Sequence, residues 1–443
     1  MAPNMPVSNS QGRLHVAGAP EGEDIDMASK LVVVKVGTSS LIRPETQAIN
    51  LSTLARLCET VALMHTKGHR VIIVTSGGVG VGAQRMGLAK KPTEIPKKQA
   101  LAAIGQLHLM KHYDDMFIAL NKRCAQVLIT LENISDRAQY LNTRQTLKAL
   151  FDYGVIPIVN ENDTVAIHEL KIGDNDTMAA QVASLVGADY CFLLTDVNGL
   201  YTSNPNNDPD AKLIEVVEDI SQLAVDTGST DAPGGAAGSE FGTGGMVTKL
   251  TAARIATAAG CKMVICNATR LAEIGEVIEG KSVGTLFLPP ANIIHGRKRW
   301  ILSMPARGRI VLDDGAVRAV MRHKNVFASG LLEVVGKFGH QSGISATYDR
   351  DKTPDGGDKT CDKNQEPSGD AIHLVDKDGN VIASGLSNYT ADELRKLKGL
   401  QSDRIEEVLG FNGPSEILYR TNICVFKDED ETGETDSDED NEN

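Results

Sequence analysis

The sequence predicts an α/β protein, a mainly parallel β-sheet sandwiched between helices, followed by a small β-rich domain. Three observations predict it. Six short Val- and Ile-rich apolar runs recur between residues 31 and 267, segments with helical spacing separate them, and short strand-like runs predominate after residue 290. Strands that are apolar on both faces and alternate with helices are typical of a parallel sheet covered on both sides. We therefore expect a ligand site at the carboxyl ends of the strands.

The elements follow in chain order. The predicted strands are residues 31–37, 71–77, 125–130, 155–162, 190–197 and 263–267. The predicted helices, in which apolar residues recur every three to four positions, are residues 51–66, 97–121, 137–151, 176–186 and 246–259. From Arg297–Trp300 onward short strands are predicted, with one helix at 391–398 that begins with the capping-box spacing of Thr390 and Glu393. These runs define an α/β domain over 30–290 and a β-rich domain over 297–427.

Three segments have the composition of disordered chain. They are an N-terminal extension (1–29), a charged insertion rich in Gly and Pro (about 348–370) and an acidic tail (428–443). The net charge of the chain is −13, and the tail alone holds ten acidic residues and no basic one. The rest of the chain is therefore close to neutral.

Composition also excludes some classes of protein. No apolar run approaches the ~18 residues that a membrane helix needs, so a membrane protein is excluded. The seven cysteines form no CxxC pair and no metal-ligand spacing, which is typical of reduced thiols in a cytosolic protein. The first 29 residues lack the apolar core of a signal peptide and the basic face of a transit peptide. We expect a cytoplasmic protein.

Polar and glycine-rich motifs follow the strands. KVGTSS follows the first strand, TSGGVGVG the second, NENDTV the fourth and TDVNGLY the fifth, while GTGGM at 242–246 opens a helix. Any one of these could be an ordinary turn. Five at the same end of one sheet indicate a binding site.

Two formal motif matches are set aside. Gly275–Ser282 fits the P-loop pattern, but it closes a helix-like segment and does not follow a strand. Gly78–Ala83 fits a dinucleotide-binding pattern, but no second strand with an acidic end follows. We expect a phosphate- or carboxylate-binding turn there, and no nicotinamide site.

Two lysines are candidates for binding phosphate. Lys35 lies inside an apolar strand, where an ammonium group is costly unless it meets an anion; the alternative is a side chain that reaches solvent. Lys249 lies one turn into the helix opened by Thr243, Gly244 and Gly245, where free N–H groups also favour anions; the alternative is an exposed helix lysine. Together they predict a triphosphate site, because phosphoryl transfer depends on positioning and charge neutralisation.

Acidic and amide residues suggest a site that orients an amino acid or a phosphoryl group. Asp174, Asn175 and Asp176 stand at a helix start, where N-capping is the alternative role. The Asn162-Asp163 pair would suit a substrate ammonium group. Thr195-Asp196 would hold a ribose or base, although a simple turn explains this pair nearly as well.

In order and spacing, these motifs resemble those of the glutamate 5-kinases, a branch of the amino acid kinase family. The resemblance covers about residues 31–288 and rests on KVGTSSL, VTSGGVGVG, NENDTVA, KIGDNDTMAA, LLTDVNGLY and GTGGMVTKL. Residues 297–426 resemble the PUA domain that many of these kinases carry, apart from the insertion. The resemblance implies ATP- and Mg²⁺-dependent phosphorylation of the side-chain carboxylate of L-glutamate to L-glutamyl 5-phosphate, for proline biosynthesis, with Mg²⁺ held mainly by the ATP phosphates and no metal ligand in the protein.

The resemblance also implies roles for individual residues. Catalysis falls to Lys35, Asp176 and Lys249, and glutamate binding to Ser76, Asp163 and Asn175. ATP binding falls to the same two lysines together with Thr195, Asp196, Thr243, Gly244, Gly245, Met246, Val247 and Thr248.

Further expectations concern partners. The resemblance implies inhibition by proline, self-association, and a separate glutamyl phosphate reductase, because the chain has no room for one. The rival acceptors are aspartate, acetylglutamate and a nucleotide monophosphate. RNA binding, known for other PUA domains, is disfavoured because the chain is acidic and its C-terminal domain has only a local basic cluster at 297–299.

Overall fold

A computed structural model describes residues 29–43, 48–88, 90–166, 175–205, 208–220, 223, 245–291, 293–294, 296–304, 306–339 and 370–426. Asp174, Thr243 and Gly244 lie outside these ranges. The extension, the insertion and the acidic tail also lie outside them, apart from Ser29 and Asp370. The disorder predicted for these segments therefore stays a prediction.

The first part of the chain alternates strands and helices, as predicted. Its strands are β1 (Leu31–Val36), β2 (Arg70–Val74), β3 (Cys124–Ile129), β4 (Ile156–Glu161), β5 (Tyr190–Thr195), β6 (Val216–Val217), β7 (Lys262–Asn267) and β8 (Thr285–Phe287). Its helices are α1 (Thr38–Leu41), α2 (Leu51–Thr66), α3 (Gly78–Arg85), α4 (Ile95–Ala119), α5 (Leu131–Ser135), α6 (Arg137–Asp152), α7 (Asn175–Val186), α8 (Met246–Ala258) and α9 (Ile274–Ile278).

The eight strands form one sheet in the order β3-β4-β2-β1-β5-β7-β8-β6. All neighbours are parallel except β7 and β8. Lys35 on β1 pairs with Val74 on β2 and with Leu193 on β5, so the carboxyl ends of these three strands lie side by side. The loops that follow them therefore meet at one edge of the sheet.

Helices cover both faces of the sheet. Along β1, Leu31 and Val33 belong to one apolar core, whereas Val32, Val34 and Val36 belong to another. Alternate residues of a strand point to opposite faces, so β1 is buried on both sides. This explains why the strands are continuous apolar runs, and it confirms the predicted fold class.

The C-terminal part contains helices that the sequence analysis missed. Its elements are α10 (Gly296–Ser303), β9 (Ala306–Leu312), α11 (Asp314–Met321), β10 (Val326–Phe327), β11 (Leu331–Gly336), β12 (Ala371–Val375), β13 (Val381–Leu386), α12 (Ala391–Leu397), α13 (Ile405–Leu409), β14 (Glu416–Leu418) and β15 (Ile423–Val425). They form a five-stranded sheet, β11-β9-β12-β13-β15, and a two-stranded sheet, β10-β14. The domain is β-rich, as predicted.

The prediction that Arg297–Trp300 opens a run of short strands is wrong, because these residues lie in helix α10. Trp300 is fully buried there, and its indole Nε1 donates to the carbonyl oxygen of Ile134 at 2.9 Å. In the same helix the carbonyl of Ser303 accepts from Nε2 of Gln181 on α7 at 2.7 Å. Packing against α5 and α7 thus determines this helix, and the local sequence does not reveal that packing.

Helix termini in this domain follow side-chain signals. The Asp313 carboxylate accepts from the backbone N–H of Ala316 at 2.7 Å and so caps α11, a helix within a segment predicted as strand. The predicted capping box of α12 is confirmed. The Thr390 hydroxyl accepts from the Glu393 N–H at 3.3 Å, and the Glu393 carboxylate accepts from the Thr390 N–H at 2.8 Å.

Helices α3 and α4 touch through glycines. A Cβ at Gly105 on α4 would lie 1.8 Å from the carbonyl oxygen of Gly78, and one at Gly82 on α3 would lie 1.9 Å from that of Leu101. Only glycine permits such contact. Gly77, with φ of +107°, makes the turn between β2 and α3, so the pattern Gly78–Ala83 lies within a helix and only Gly77 turns the chain.

We expect Gly105→Ala to displace α3 and lower Tm by about 5–10 °C, because a backbone clash cannot be relieved by rotating a side chain. Gly275→Ala on α9 is the matched control, since a Cβ there would meet nothing within 4 Å. The control should melt at or slightly above the wild-type temperature. Thermal scanning of both variants tests the contact, and equal melting temperatures would contradict it.

No helix in the described ranges is both long and apolar enough to cross a membrane. The six cysteines in these ranges form no disulfide, and all but Cys124 are buried: Cys58, Cys124, Cys191, Cys261, Cys266 and Cys424.

Candidate active site

A buried cluster of charges lies at the carboxyl end of β1. The Asp176 carboxylate on α7 forms ion pairs with two ammonium groups, one on each oxygen. The Lys35 Nζ, from β1, contacts Oδ1, and the Lys249 Nζ, from α8, lies 3.0 Å from Oδ2. The exposed fractions of Lys35, Asp176 and Lys249 are only 8%, 1% and 7%. Asp176 and Lys249 lie 141 and 214 positions after Lys35 in the sequence. The three residues converge because the strand and the two helices that carry them meet at one edge of the sheet.

The cluster carries more positive than negative charge. Burial favours the neutral form of the Asp176 carboxyl, but the two ammonium groups outweigh burial and hold its pKa below the ordinary value. The carboxylate is therefore ionised at neutral pH, and two cations share one anion. Two ammonium groups buried side by side favour the binding of an anion. The cluster is suited to an anionic ligand such as a phosphoryl group.

The alternative roles considered for these residues do not match the geometry. Lys35 does not extend to solvent, Lys249 is not an exposed helix lysine, and the Asp176 carboxylate binds ammonium groups in addition to any effect on the start of α7. Their specific part in phosphoryl transfer stays a prediction.

A second group of polar residues adjoins the charge cluster. Asn175 directly precedes Asp176 on α7, and its Nδ2 lies 2.5 Å from the Ser76 hydroxyl and 2.7 Å from the carbonyl oxygen of Thr75, at the end of β2. It also lies 3.2 Å from Oδ1 of Asn160 on β4. Two of the residues predicted to bind glutamate, the phosphoryl acceptor, are thus in direct contact: Ser76 and Asn175. We call Ser76, Asn160 and Asn175 the acceptor group.

Helix α4 supports this group with residues that the sequence analysis did not identify. Oε1 of Gln106 accepts from Nδ2 of Asn160 at 2.7 Å, and the buried Tyr113 hydroxyl lies 2.9 Å from that of Thr75. The two side chains are seven residues apart, which places them on one face of the helix. A glutamine or tyrosine inside a helical segment carries no local signal of such a role.

Asp163 lies at the same sheet edge, two residues beyond the end of β4 and partly buried. Its charge acts on a neighbour: burial, together with the Asp163 and Glu132 carboxylates, raises the pKa of Glu161 to about 7. The structure thus places Asp163 near Glu161, at the end of the strand that also carries Asn160. Its predicted part in glutamate binding stays a prediction.

Glu161 should make stability depend on pH. The folded protein keeps the Glu161 proton up to about pH 7, whereas the unfolded chain loses it near the ordinary glutamate pKa of 4.5. The folded state therefore binds more protons between these values, and stability falls as pH rises through this window. Glu161→Gln abolishes this loss, so we expect the variant to melt above wild type at pH 8 and close to it near pH 4.5.

Thermal melts from pH 4.5 to 8.5 measure the effect. Glu59→Gln, at an exposed position on α2, is the control and should follow the wild-type curve. A difference between Glu161→Gln and wild type that does not change with pH would refute the assignment.

The segments predicted to bind ATP occupy the same edge of the sheet. Thr195 ends β5, and its hydroxyl donates to the Asp196 carboxylate at 3.0 Å. Gly245 caps α8, and Met246, Val247, Thr248 and Lys249 form its first turn. Val247 is half-exposed, whereas Lys249 is buried. Free N–H groups at the start of α8 therefore accompany the buried ammonium group.

Comparison with known proteins gives consistent matches. Residues 30–267 match the amino acid kinase family, and residues 359–409 match the PUA domain. A glutamate 5-kinase from Synechocystis sp. is 44% identical over 403 residues, which is 90% of this chain and 98% of that protein. One from Nostoc punctiforme is also 44% identical, over 90% of this chain and all of that protein. A carbamate kinase from Giardia lamblia, solved with AMP-PNP, aligns with 59% of this chain and 99% of its own at 20% identity and a TM-score of 0.43.

Proposed function

The chain belongs to the amino acid kinase family, in its glutamate 5-kinase branch, and on this premise we propose that it transfers the γ-phosphoryl group of ATP to the side-chain carboxylate of L-glutamate. The product is L-glutamyl 5-phosphate, an acyl phosphate. One observation carries the assignment of the site: Lys35, Asp176 and Lys249 form a buried cluster with excess positive charge. This cluster directly adjoins the Asn175–Ser76 amide and hydroxyl pair.

The two groups suit the two substrates. The ammonium groups of Lys35 and Lys249 neutralise the terminal phosphate oxygens, while the start of α8 and Thr195-Asp196 hold the rest of the nucleotide. Ser76, Asp163 and Asn175 orient the amino acid. Because Asn175 and Asp176 are consecutive on α7, one helix start positions both substrates.

The reaction needs positioning more than proton transfer. A glutamate γ-carboxylate oxygen attacks the γ-phosphorus in line, and the new bond joins that oxygen to phosphorus. The bond from phosphorus to the β–γ bridging oxygen breaks, and its electron pair leaves with ADP. A carboxylate is already ionised at pH 7, so no general base is required. The lysines act by stabilising charge on the transferring group.

Magnesium enters this proposal with ATP. Among the described residues no group of three or more acidic, histidine or cysteine side chains is placed to hold a metal ion, and both oxygens of Asp176 already contact ammonium groups. The donor set thus does not fit a metal site made by the protein alone. Mg²⁺ would instead be held mainly by the ATP phosphates, and we assign no step to it.

A hydroxamate assay tests the proposal. Hydroxylamine converts an acyl phosphate into a stable hydroxamate, so enzyme, Mg·ATP and glutamate should give glutamyl hydroxamate. The same assay with aspartate, N-acetylglutamate and a nucleotide monophosphate, scored for ADP as well, tests the rival acceptors. ADP formation with a rival and none with glutamate would refute the proposed acceptor.

Other features are part of the same proposal. Proline would inhibit, because the product leads to proline and end products commonly regulate first steps; adding proline to the hydroxamate assay measures this. The acyl phosphate would pass to a separate reductase, since acyl phosphates are reactive. Free buried thiols such as Cys58 and Cys191 support a reducing, cytoplasmic setting. Self-association of the kinase region would be measured by light scattering.

A further inference from the structure

Gln106 on α4 is fixed by a hydrogen bond that leads into the acceptor group. Its Oε1 accepts from Nδ2 of Asn160 at 2.7 Å, and Oδ1 of Asn160 lies 3.2 Å from Nδ2 of Asn175. Asn160 is 2% exposed, so its amide has no water to replace a lost partner. The orientation of the Asn160 amide is therefore set by Gln106, because only an acceptor can face its Nδ2.

The orientation of Asn160 matters for the residues that meet the amino acid. Nδ2 of Asn175 has two hydrogens, and its acceptors are the Thr75 carbonyl, the Ser76 hydroxyl and Asn160 Oδ1. Because the Ser76 oxygen accepts from Asn175, its own hydrogen points elsewhere and can be donated to a carboxylate, which only accepts. Rotation of Asn160 would turn a donor toward Asn175 and disturb this pattern.

A second observation concerns the other end of the Gln106 amide. Its Nε2 is buried and has no hydrogen-bond partner within the described part of the chain. A buried donor without a partner costs stability. A side chain retained for stability alone would not carry such a donor. Buried polar groups that lack a partner are instead expected near functional sites.

We propose that Gln106 is a positioning residue of the acceptor site, which acts through Asn160 to hold Asn175 and Ser76 in the orientation that receives the amino acid. The inference rests on the proposed function, since it assigns the acceptor to this group of residues. Gln106 reaches α7 through the hydrogen bonds of Asn160 to Asn175.

Steady-state kinetics of Gln106→Met and Gln106→Glu test the proposal. Methionine is similar in length but offers no comparable acceptor, so we expect the KM for glutamate to rise about tenfold while the KM for ATP stays within about twofold of wild type. The Gln106→Glu side chain keeps an oxygen that can accept from Asn160. This variant should therefore have a KM for the substrate glutamate close to wild type. Gln84→Met, at an exposed position on α3, is the control for the substitution itself.

A double-variant cycle shows whether Gln106 acts through Ser76. If it does, Gln106→Met should add little to the KM increase caused by Ser76→Ala, because coupled residues are not additive. An unchanged glutamate KM in Gln106→Met, equal rises for both substrates, a failure of Gln106→Glu to restore binding, or full additivity with Ser76→Ala would each overturn the proposal. A wild-type enzyme that forms no glutamyl hydroxamate would instead overturn the proposed function.

Discussion

Replacing Lys35 with methionine is expected to lower kcat about a thousandfold, while the KM values for ATP and glutamate change much less. The ammonium group of Lys35 is buried at the end of β1 and points to Asp176. Its charge is worth most when negative charge shifts on the transferring phosphoryl group, because the site is shielded from water. The variant should fold, since Lys249 remains to neutralise the Asp176 carboxylate.

The same strand offers a matched control for this variant. Lys30 directly precedes β1 and pairs with Asp189 in a half-exposed ion pair at the opposite end of the strand. Lys30→Met removes an identical charge from the same segment and should keep wild-type turnover. Both variants are compared by hydroxamate formation and thermal melting. Wild-type kcat in Lys35→Met would show that the assigned role is wrong.

Replacing Asp176 with asparagine is expected to have the largest effect on stability. The change leaves two buried ammonium groups without their shared anion, and breaking a buried ion pair from one side costs about 3–5 kcal/mol. Thermal scanning of the ligand-free variant should show a large fall in Tm. Mg·ATP should recover much of it, since the phosphates supply the missing negative charge and binding stabilises the folded state. Turnover should fall as well.

Two further variants make this result specific. Asp189→Asn weakens the half-exposed pair with Lys30 but leaves an amide oxygen to accept from the Leu31 N–H, so it should cost about 1 kcal/mol. Asp176→Asn combined with Lys249→Met also removes one of the two ammonium groups that Asp176 binds, and it should regain stability without regaining activity. If Asp176→Asn and Asp189→Asn lower Tm equally, the Asp176 carboxylate does not neutralise the ammonium groups of Lys35 and Lys249.

Most of the kinase fold could be predicted because its strands are buried on both faces. The run at 190–197 was predicted as strand and β5 spans Tyr190–Thr195; the helix predicted at 176–186 is α7, Asn175–Val186. Continuous apolar runs and helical spacing are local properties. Helix α10 was predicted wrongly, because the burial of Trp300 against α5 and α7 comes from distant residues.

The candidate site was predictable to a similar degree. Lys35 could be identified because a charge in an apolar strand needs an explanation, and the resemblance to glutamate 5-kinases supplied Asp176 as its partner. Gln106 could not be identified, because a glutamine within a helix gives no local signal and only the folded chain brings it beside Asn160. Likewise the raised pKa of Glu161 arises first from burial and then from Asp163 and Glu132, which only the folded chain assembles.

Oxygen transfer tests the central claim most directly. Glutamate labelled with ¹⁸O in its γ-carboxylate is incubated with enzyme and Mg·ATP, and the glutamyl phosphate is left to cyclise, which breaks its C–O bond and releases phosphate. If the carboxylate oxygen attacks phosphorus, each released phosphate carries one ¹⁸O, seen by mass spectrometry, and Lys35→Met forms such phosphate far more slowly. Phosphate with no ¹⁸O above background, at undiminished ATP consumption, would contradict direct transfer to the side-chain carboxylate.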